Sequence, residues 1–161
     1  MNLSDIKSKL VELLKSGLVP PAVLVHGAPG VGKTTSGLKI AEEVGIVPEI
    51  IQCSKWNSTI QEQLNNFCRT APAGCNLDHL LEENKNPIRM VILDEIDQFG
   101  TNQDQLRPIM DNYSEKVFFF ATTNYPEKLT DAVQDRFLKS FIPSEGKSLR
   151  QIALEERLYA L

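Results

Sequence analysis

The sequence predicts an α/β fold in which a parallel β-sheet is flanked by helices on both faces. Short apolar runs alternate along the 161-residue chain with segments whose apolar residues recur at helical spacing. Two runs, Ile88 to Leu93 and Val117 to Thr122, are almost entirely apolar, which is typical of parallel strands buried on both faces. A third, Ala22 to His26, leads into a glycine-rich loop and a helix-like segment, as expected for a strand–loop–helix unit.

The other elements follow from the same periodicities. Ser4 and Ser58 stand where side chains commonly cap helix starts, and Gly45 stands where glycine commonly ends one. In chain order we predict helices at Leu3 to Lys15 and Lys33 to Val44, a strand at Val47 to Cys53, a helix from Ser58, a helical turn around Asp78 to Glu82, a strand at Leu138 to Ile142 and a helix at Ser148 to Leu161.

The composition is that of an ordinary globular domain, with 42% hydrophobic and 24% charged residues. The net charge of −4 lacks the basic footprint of a nucleic-acid-binding protein, so DNA contact requires a local patch or several copies around a channel. Cys53, Cys68 and Cys75 show no metal or redox spacing, and an odd count favours reduced thiols in the cytosol. No apolar run approaches the ~20 residues of a membrane span, so we expect an intracellular protein without membrane contact.

The glycine-rich loop after the first strand carries the clearest chemical signal. From Gly27 to Thr34 it reads Gly, four residues, then Gly-Lys-Thr, the pattern of a phosphate-binding P-loop rather than of a simple glycine turn. Glycines let successive N–H groups point at one anion, and the helix N-terminus adds positive charge. We expect Lys33 to contact the β- and γ-phosphates and Thr34 to bind Mg²⁺. The expected nucleotide-binding residues are Gly27, Ala28, Pro29, Gly30, Val31, Gly32, Lys33, Thr34 and Thr35.

Two adjacent carboxylates, Asp94 and Glu95, follow the buried run that ends at Leu93. Open α/β sheets bind ligands at the carboxyl ends of their strands, so this is the expected edge for a site. We expect Asp94 to hold Mg²⁺ together with Thr34, and Glu95 to act as the general base that deprotonates an attacking water. The alternative is a solvated turn. Asp97 is predicted to be a helix cap or a surface charge.

Asn124 and Arg136 complete the set of candidate catalytic residues with Lys33 and Glu95. Asn124 follows the Val117 run and is expected to touch the γ-phosphate or to place the attacking water, with a simple turn as the alternative. Thr123 is a poorer candidate for that role. Arg136 is either a surface charge or an arginine finger aimed at the γ-phosphate of a neighbouring subunit.

These motifs together resemble the AAA+ ATPases, and within them the clamp-loader small subunits of the replication factor C group. The likeness covers roughly residues 18 to 161 and differs around Arg136, where that group has Ser-Arg-Cys and this chain has Asp135-Arg136-Phe137. The motifs that carry it are Gly27 to Thr34, Leu93 to Asp97, Gln105-Leu106-Arg107, Met110-Asp111, Tyr113-Ser114, Asn124 and Arg136.

The resemblance implies a P-loop NTPase sheet of five parallel strands in the order 5-1-4-3-2, with ATP and Mg²⁺ bound at a subunit interface. It implies an oligomer of AAA+ subunits, in a ring or open spiral, that hydrolyses ATP and works with DNA and a replication clamp or helicase. It places Gln52 where a polar side chain restrains Glu95. It divides the chain into an AAA+ nucleotide-binding domain at 1–143, with its N-terminal helix, and the start of a truncated helical lid at 144–161.

Three other interpretations remain open from the sequence. The segment Thr122 to Pro126, followed by Arg136, also resembles the third motif and finger of viral-type superfamily 3 helicases. A nucleotide-gated module that recruits a partner without catalysis is the non-enzymatic alternative, and a metabolic kinase is weaker. In each case we expect the protein in the cytoplasm or at an intracellular site of DNA replication, including a virus-infected cell.

Overall fold

The structure, a computed structural model, describes residues 2–30, 32–70, 88–138, 140–141 and 157–158. Segments of 3₁₀ turns follow β2, β3 and β4 at Cys53–Lys55, Ile96–Gln105 and Pro126–Lys128, and the non-helical backbone of Gly100 interrupts the second of them. The helices are α1 (Ser4–Lys15), α2 (Lys33–Val44), α3 (Ser58–Arg69), α4 (Leu106–Tyr113) and α5 (Asp131–Gln134), and the strands are β1 (Val23–His26), β2 (Glu49–Gln52), β3 (Arg89–Asp94), β4 (Val117–Thr123) and β5 (Ser140–Phe141).

The strands form one parallel sheet, as the alternation of strand and helix patterns predicted. Its order is β2-β3-β4-β1-β5, and β5 contributes two residues beside β1. The register aligns Gln52 with Asp94 and Leu93 with Ala121, so β2, β3 and β4 end at neighbouring positions. The polar residues that follow these strands therefore share the carboxyl-terminal edge of the sheet.

Apolar side chains pack on both faces of this sheet, which confirms the assignment of the continuous apolar runs to buried strands. All seven residues of β4 are buried. Phe118 and Phe120 face the side covered by α1 and α2, whereas Phe119 faces the side covered by α3 and α4. The central strands are thus held on two sides.

Helix α2 lies unusually close to the sheet at Gly37. A Cβ atom at this position would stand 2.8 Å from two carbons of the Phe120 ring and 3.3 Å from Ile92. A larger residue would push the helix away, because packed interiors leave no spare volume. The glycine therefore allows α2 to pack directly against Phe120 of β4.

Two of the predicted helix caps are wrong. Helix α1 has no side-chain cap at its N-terminus, and Ser4 is already its first residue, with its N–H donated to Asn2. At α3 the cap is Asn57 rather than Ser58, because Asn57 has an extended backbone and its side chain accepts from the N–H of Ile60 at 2.8 Å. The predicted end of α2 is confirmed, since Gly45 takes the left-handed conformation there.

Several predicted features differ in extent or lie outside the described residues. The second strand is shorter than predicted, because Cys53 already belongs to the 3₁₀ turn that follows β2. The described thiols, Cys53 and Cys68, are free and buried, and burial raises the pKa of Cys68 to about 12. No helix in the described part of the chain combines the length and apolarity of a membrane span. The predicted turn at Asp78 to Glu82 lies outside the description, as does the final helix except for two exposed helical residues, 157 and 158.

Candidate functional site

The loop between β1 and α2 has the backbone that its glycines were predicted to allow. Gly30 and Gly32 have φ angles of 82° and 87°, a region that residues with a side chain rarely adopt. Gly32 is the N-cap residue of α2, so the loop delivers the chain directly to a helix start. The first N–H groups of a helix lack partners within it and favour an anion. Val31 lies outside the described residues, and Thr35 is exposed on α2.

The side chain of Lys33 is hydrogen-bonded to the backbone of this loop. Its Nζ donates to the carbonyl oxygens of Gly27 at 3.0 Å and Ala28 at 2.9 Å, and the residue is only 8% exposed. Burial lowers the pKa of the Lys33 ammonium, while the nearby charges of Asp94 and Glu95 act in the opposite direction. The ammonium is therefore a buried positive group that lies between the loop and the acidic pair.

Asp94 joins the loop to the end of β3. The Thr34 hydroxyl donates to Asp94 Oδ1 at 2.6 Å, although the two residues are 60 positions apart in the sequence. The hydroxyl of Thr122 donates to the same oxygen at 2.8 Å. The predicted pair of metal-binding residues is thus brought into direct contact, with a hydroxyl and a carboxylate side by side.

Glu95 has a backbone conformation that sets it apart. Its φ and ψ angles are 56° and 58°, and it is the one residue with a side chain at positive φ among those the structure describes. Its N–H donates to Thr122 Oγ1 at 2.9 Å. Such conformations cost on the order of 1–3 kcal/mol and concentrate at functional sites. The turn directs the chain from β3 into the Ile96–Gln105 segment.

Asp97 is neither the helix cap nor the surface charge that the sequence predicted. It is 6% exposed, and its Oδ1 accepts from the hydroxyl of Thr123 at 2.7 Å and from the N–H of Asn124 at 3.4 Å. The left-handed turn at Glu95 accounts for the difference, because it folds the following residues back against the end of β4. Asp97 therefore ties the acidic loop to the loop after β4.

Asn124 lies beside this connection, half-buried after the last residue of β4. Its Oδ1 is buried and has no hydrogen-bond partner among the described residues. Buried polar atoms nearly always have partners, so an orphaned one marks a place where a ligand or water fits. The Thr123 hydroxyl is already donated to Asp97, which agrees with its rank as the poorer candidate.

Arg136 is the one candidate residue that the fold keeps away from the others. Its Nε and Nη2 donate to the two carboxylate oxygens of Asp111 at 2.9 and 2.8 Å, and Nη1 donates to the carbonyl of Ala132 at 2.6 Å. Arg136 and Asp111 line a cavity of about 220 Å³ with Ala22 and Val117, which lie at the starts of β1 and β4. The seven residues of β4 span roughly 20 Å. Arg136 thus lies at the edge of the sheet opposite the loop.

Comparison with known proteins identifies the family of the chain. Residues 23–144 match the family described as ATPase family associated with various cellular activities (AAA). The chain belongs to the AAA family. Its curated relatives include replication factor C small subunit 2 of Pyrobaculum islandicum, 33% identical over 97% of this chain and 49% of the relative. Another is the replication factor C small subunit of Methanothermobacter thermautotrophicus, 30% identical over 86% of this chain and 44% of the relative.

The chain thus spans about half the length of the curated relatives that it matches. Homology to replication factor C small subunits, predicted from the motifs, is confirmed. Among solved structures, a variant of RuvB from Thermotoga maritima aligns with a TM-score of 0.63 at 20% identity, over 88% of this chain and 45% of that chain. At this identity the likeness supports the fold alone, and it confirms the P-loop α/β architecture.

Three buried polar residues of the AAA domain escaped the sequence analysis as parts of the site: Asp97, Gln103 and Thr122. Gln103 bonds the carbonyl of Lys128 and the N–H of Thr130, both at 2.9 Å, and so fixes the segment that leads into α5. Thr122 is fully buried and bonds both Asp94 and Glu95. For Thr122, the sequence signal was a hydroxyl residue near the end of an otherwise apolar strand.

Proposed function

We propose that this chain binds ATP with Mg²⁺ at the carboxyl-terminal edge of its sheet and hydrolyses it to ADP and phosphate. The observation that carries the proposal is the hydrogen bond between Thr34 and Asp94, with the buried ammonium of Lys33 close enough for the charge of Asp94 to act on it. A buried cation beside a hydroxyl–carboxylate pair supplies what a triphosphate and its metal ion require.

The loop is proposed to hold the phosphates. Its backbone N–H groups and the start of α2 supply donors, and an ammonium has three N–H bonds. Two of those of Lys33 reach loop carbonyls, which leaves the third for a phosphate oxygen. The residues proposed to bind nucleotide are Gly27, Ala28, Pro29, Gly30, Val31, Gly32, Lys33, Thr34 and Thr35.

Thr34 and Asp94 fit the requirements of Mg²⁺. Magnesium prefers oxygen ligands and is usually held by one or two protein groups together with phosphates and water. The described residues contain no group of three or more His, Cys, Asp or Glu side chains placed to hold a metal, which fits a shared site better than an all-protein cage. When bound, Mg²⁺ neutralises negative charge on the β- and γ-phosphate oxygens.

Glu95 is proposed to deprotonate the attacking water, whose oxygen forms a bond to the γ-phosphorus while the bond to the β–γ bridging oxygen breaks. Asn124 is proposed to touch the γ-phosphate or to place that water, and its orphaned buried oxygen supports a role toward a ligand. Lys33 would stabilise charge on the transferred group. Glu95 and Asn124 follow the ends of the neighbouring strands β3 and β4, which supports these two roles.

Arg136 is proposed to act on the nucleotide of another subunit. It lies beside the starts of β1 and β4, whereas the loop follows the end of β1. An arginine at the far edge of the domain serves a γ-phosphate only when a second AAA subunit docks there. This placement supports an oligomer in which Arg136 leaves Asp111 for the neighbour's phosphate.

We further propose that the chain is a clamp-loader-like subunit that works with DNA and with a replication clamp or helicase, at the site of DNA replication in the cytoplasm. Identity of 30–33% with replication factor C small subunits supports this role. The proposal includes the complete five-stranded sheet in the order 5-1-4-3-2, supported by the short β5 beside β1. It also includes an AAA+ domain at 1–143 and the start of a helical lid at 144–161.

The test is the ATPase rate of the Glu95→Gln variant, with and without DNA. Removing a general base costs roughly 10²–10⁴-fold in rate, and ATP affinity should remain. The matched control is Glu43→Gln, a surface glutamate of α2 that pairs with Lys7 at 3.4 Å and should keep the wild-type rate. Hydrolysis by Glu95→Gln at the unmutated rate contradicts the proposal. ATP binding without phosphate release by the wild-type protein favours the recruiting module instead.

A further inference from the structure

We propose that Thr122 is a positioning residue that aligns Asp94 and Glu95 for hydrolysis through one hydroxyl group. The inference rests on the ATPase function proposed above. Thr122 is fully buried in β4, its Oγ1 donates to Asp94 Oδ1 at 2.8 Å, and the same oxygen accepts from the N–H of Glu95 at 2.9 Å.

The threonine hydroxyl is suited to this double contact. It has one proton to donate and lone pairs to accept, and here it uses both functions on adjacent residues. The bond to Asp94 goes to a charged acceptor, and such bonds are about twice as strong as neutral ones. Thr122 lies in β4, the central strand of the sheet, so its hydroxyl connects the two acidic residues to a strand that is paired on both sides.

The contact with Asp94 sets the direction of its carboxylate. Oδ1 accepts two hydrogen bonds, one from the hydroxyl of Thr34 on α2 and one from the hydroxyl of Thr122 on β4. Two donors from different elements fix the side-chain torsion more firmly than either alone. Residues that orient a metal-binding carboxylate in this way typically contribute about 10–100-fold to metal affinity or activity.

The contact with Glu95 holds an uncommon backbone conformation. At φ 56° this residue has left the strand geometry of β3, and its N–H no longer continues the β ladder. The hydrogen bond to Thr122 satisfies that N–H and opposes relaxation of the turn. The direction in which the Glu95 side chain extends from the backbone therefore depends on the Thr122 hydroxyl.

The test compares Thr122→Val with Thr122→Ser in the full chain. Valine keeps the shape of threonine without the hydroxyl, whereas serine keeps the hydroxyl without the methyl group. We expect the valine variant to lose about 10–100-fold in kcat and to need more Mg²⁺, with little change in KM for ATP. The serine variant should keep most of the rate.

A second measurement does not depend on activity. Amide hydrogen exchange of the Glu95 N–H, followed by NMR in the nucleotide-free protein, should be slow in the wild type and in Thr122→Ser and faster in Thr122→Val. Equal exchange in all three proteins would overturn the inference. If Thr122→Val does not fold, Thr122→Ser and Thr122→Ala, which differ by one oxygen atom, are compared by the same criteria.

The outcomes separate this inference from the proposed function. A wild-type chain that hydrolyses no ATP contradicts the function, and the exchange rates then still decide whether Thr122 holds Glu95. Wild-type hydrolysis that is lost in Glu95→Gln but kept in Thr122→Val overturns the inference alone. Equal loss of rate in the serine and valine variants assigns the effect to packing and likewise overturns it.

Discussion

The two edges of the sheet hold their charged residues by different means. At the carboxyl-terminal edge, buried and half-buried hydroxyls and carboxylates connect α2, β3 and β4, as in the bonds from Thr34 and Thr122 to Asp94. At the opposite edge, Arg136 is held by Asp111, whose side chain is 56% exposed. Buried bonds are costly to break, whereas exposed ion pairs contribute roughly 0–1 kcal/mol. The contacts at the first edge should therefore persist, whereas a partner can replace the contact between Arg136 and Asp111 at the second.

This contrast gives the two edges different sensitivities to mutation. Changes at the exposed edge should affect catalysis in the assembly with little effect on stability. Changes at the buried edge should affect the stability of the isolated chain.

Arg136→Ala should lower kcat of the assembled ATPase by about 10³–10⁵-fold, the range seen for arginine fingers. The ATP affinity of the isolated chain should not change, because the residue lies at the edge away from its own loop. Steady-state ATPase and nucleotide-binding assays measure the two effects. The matched control is Arg69→Ala, which removes an exposed arginine from the end of α3 and should be silent.

Mixing variants separates action between subunits from action within one. Arg136→Ala supplies intact phosphate loops, and Lys33→Ala supplies intact Arg136 residues. Mixed oligomers should therefore recover part of the activity that each variant lacks alone. No recovery in oligomers shown to contain both variants would contradict the comparison between the edges.

Asp97→Ala should reduce the free energy of unfolding by about 1–3 kcal/mol, because it leaves the Thr123 hydroxyl and the Asn124 N–H without their acceptor. Asp97→Asn should be much milder, since an amide oxygen can accept both bonds. Urea unfolding of the three proteins measures the difference. Similar stability of the alanine and asparagine variants would show that the buried edge does not depend on this acceptor.

Asp111→Asn should change the free energy of unfolding by less than ~1 kcal/mol at pH 7, since the Asp111 carboxylate is exposed to solvent. The hydrogen bond from Arg136 lowers the pKa of Asp111 below its ordinary value of 3.8. The carboxylate therefore stabilises the fold above that ordinary value, and this contribution is lost as the pH falls through the lowered pKa. Urea titrations from pH 7 to pH 2 should show wild type and variant converging in acid. A difference that grows in acid would contradict this sign.

The sequence predicted the parts of the site that depend on local pattern. The spacing from Gly27 to Thr34 and the acids after β3 required only short-range reasoning, because strand ends in a parallel sheet meet at one edge. The burial of Asp97 depends on the left-handed turn at Glu95. Glycine is the usual residue in that conformation, so a glutamate there gives no sequence signal for the turn. The contact between Arg136 and Asp111 joins residues 25 positions apart, and an exposed arginine has the same local pattern with or without it.

The sequence placed the cap of α3 at Ser58 for a related reason. Serine and asparagine both cap helices well, so propensity does not choose between Asn57 and Ser58. The choice depends on which residue has the extended backbone, and here that residue is Asn57.

The most direct test of the account is a structure of the assembled protein with Mg²⁺ and a non-hydrolysable ATP analogue. The account predicts the triphosphate on the loop from Gly27 to Thr34, with the γ-phosphate facing Lys33 and Glu95 and approached by the Arg136 of a second copy. A triphosphate bound elsewhere, or one contacted by the Arg136 of its own chain, would contradict it.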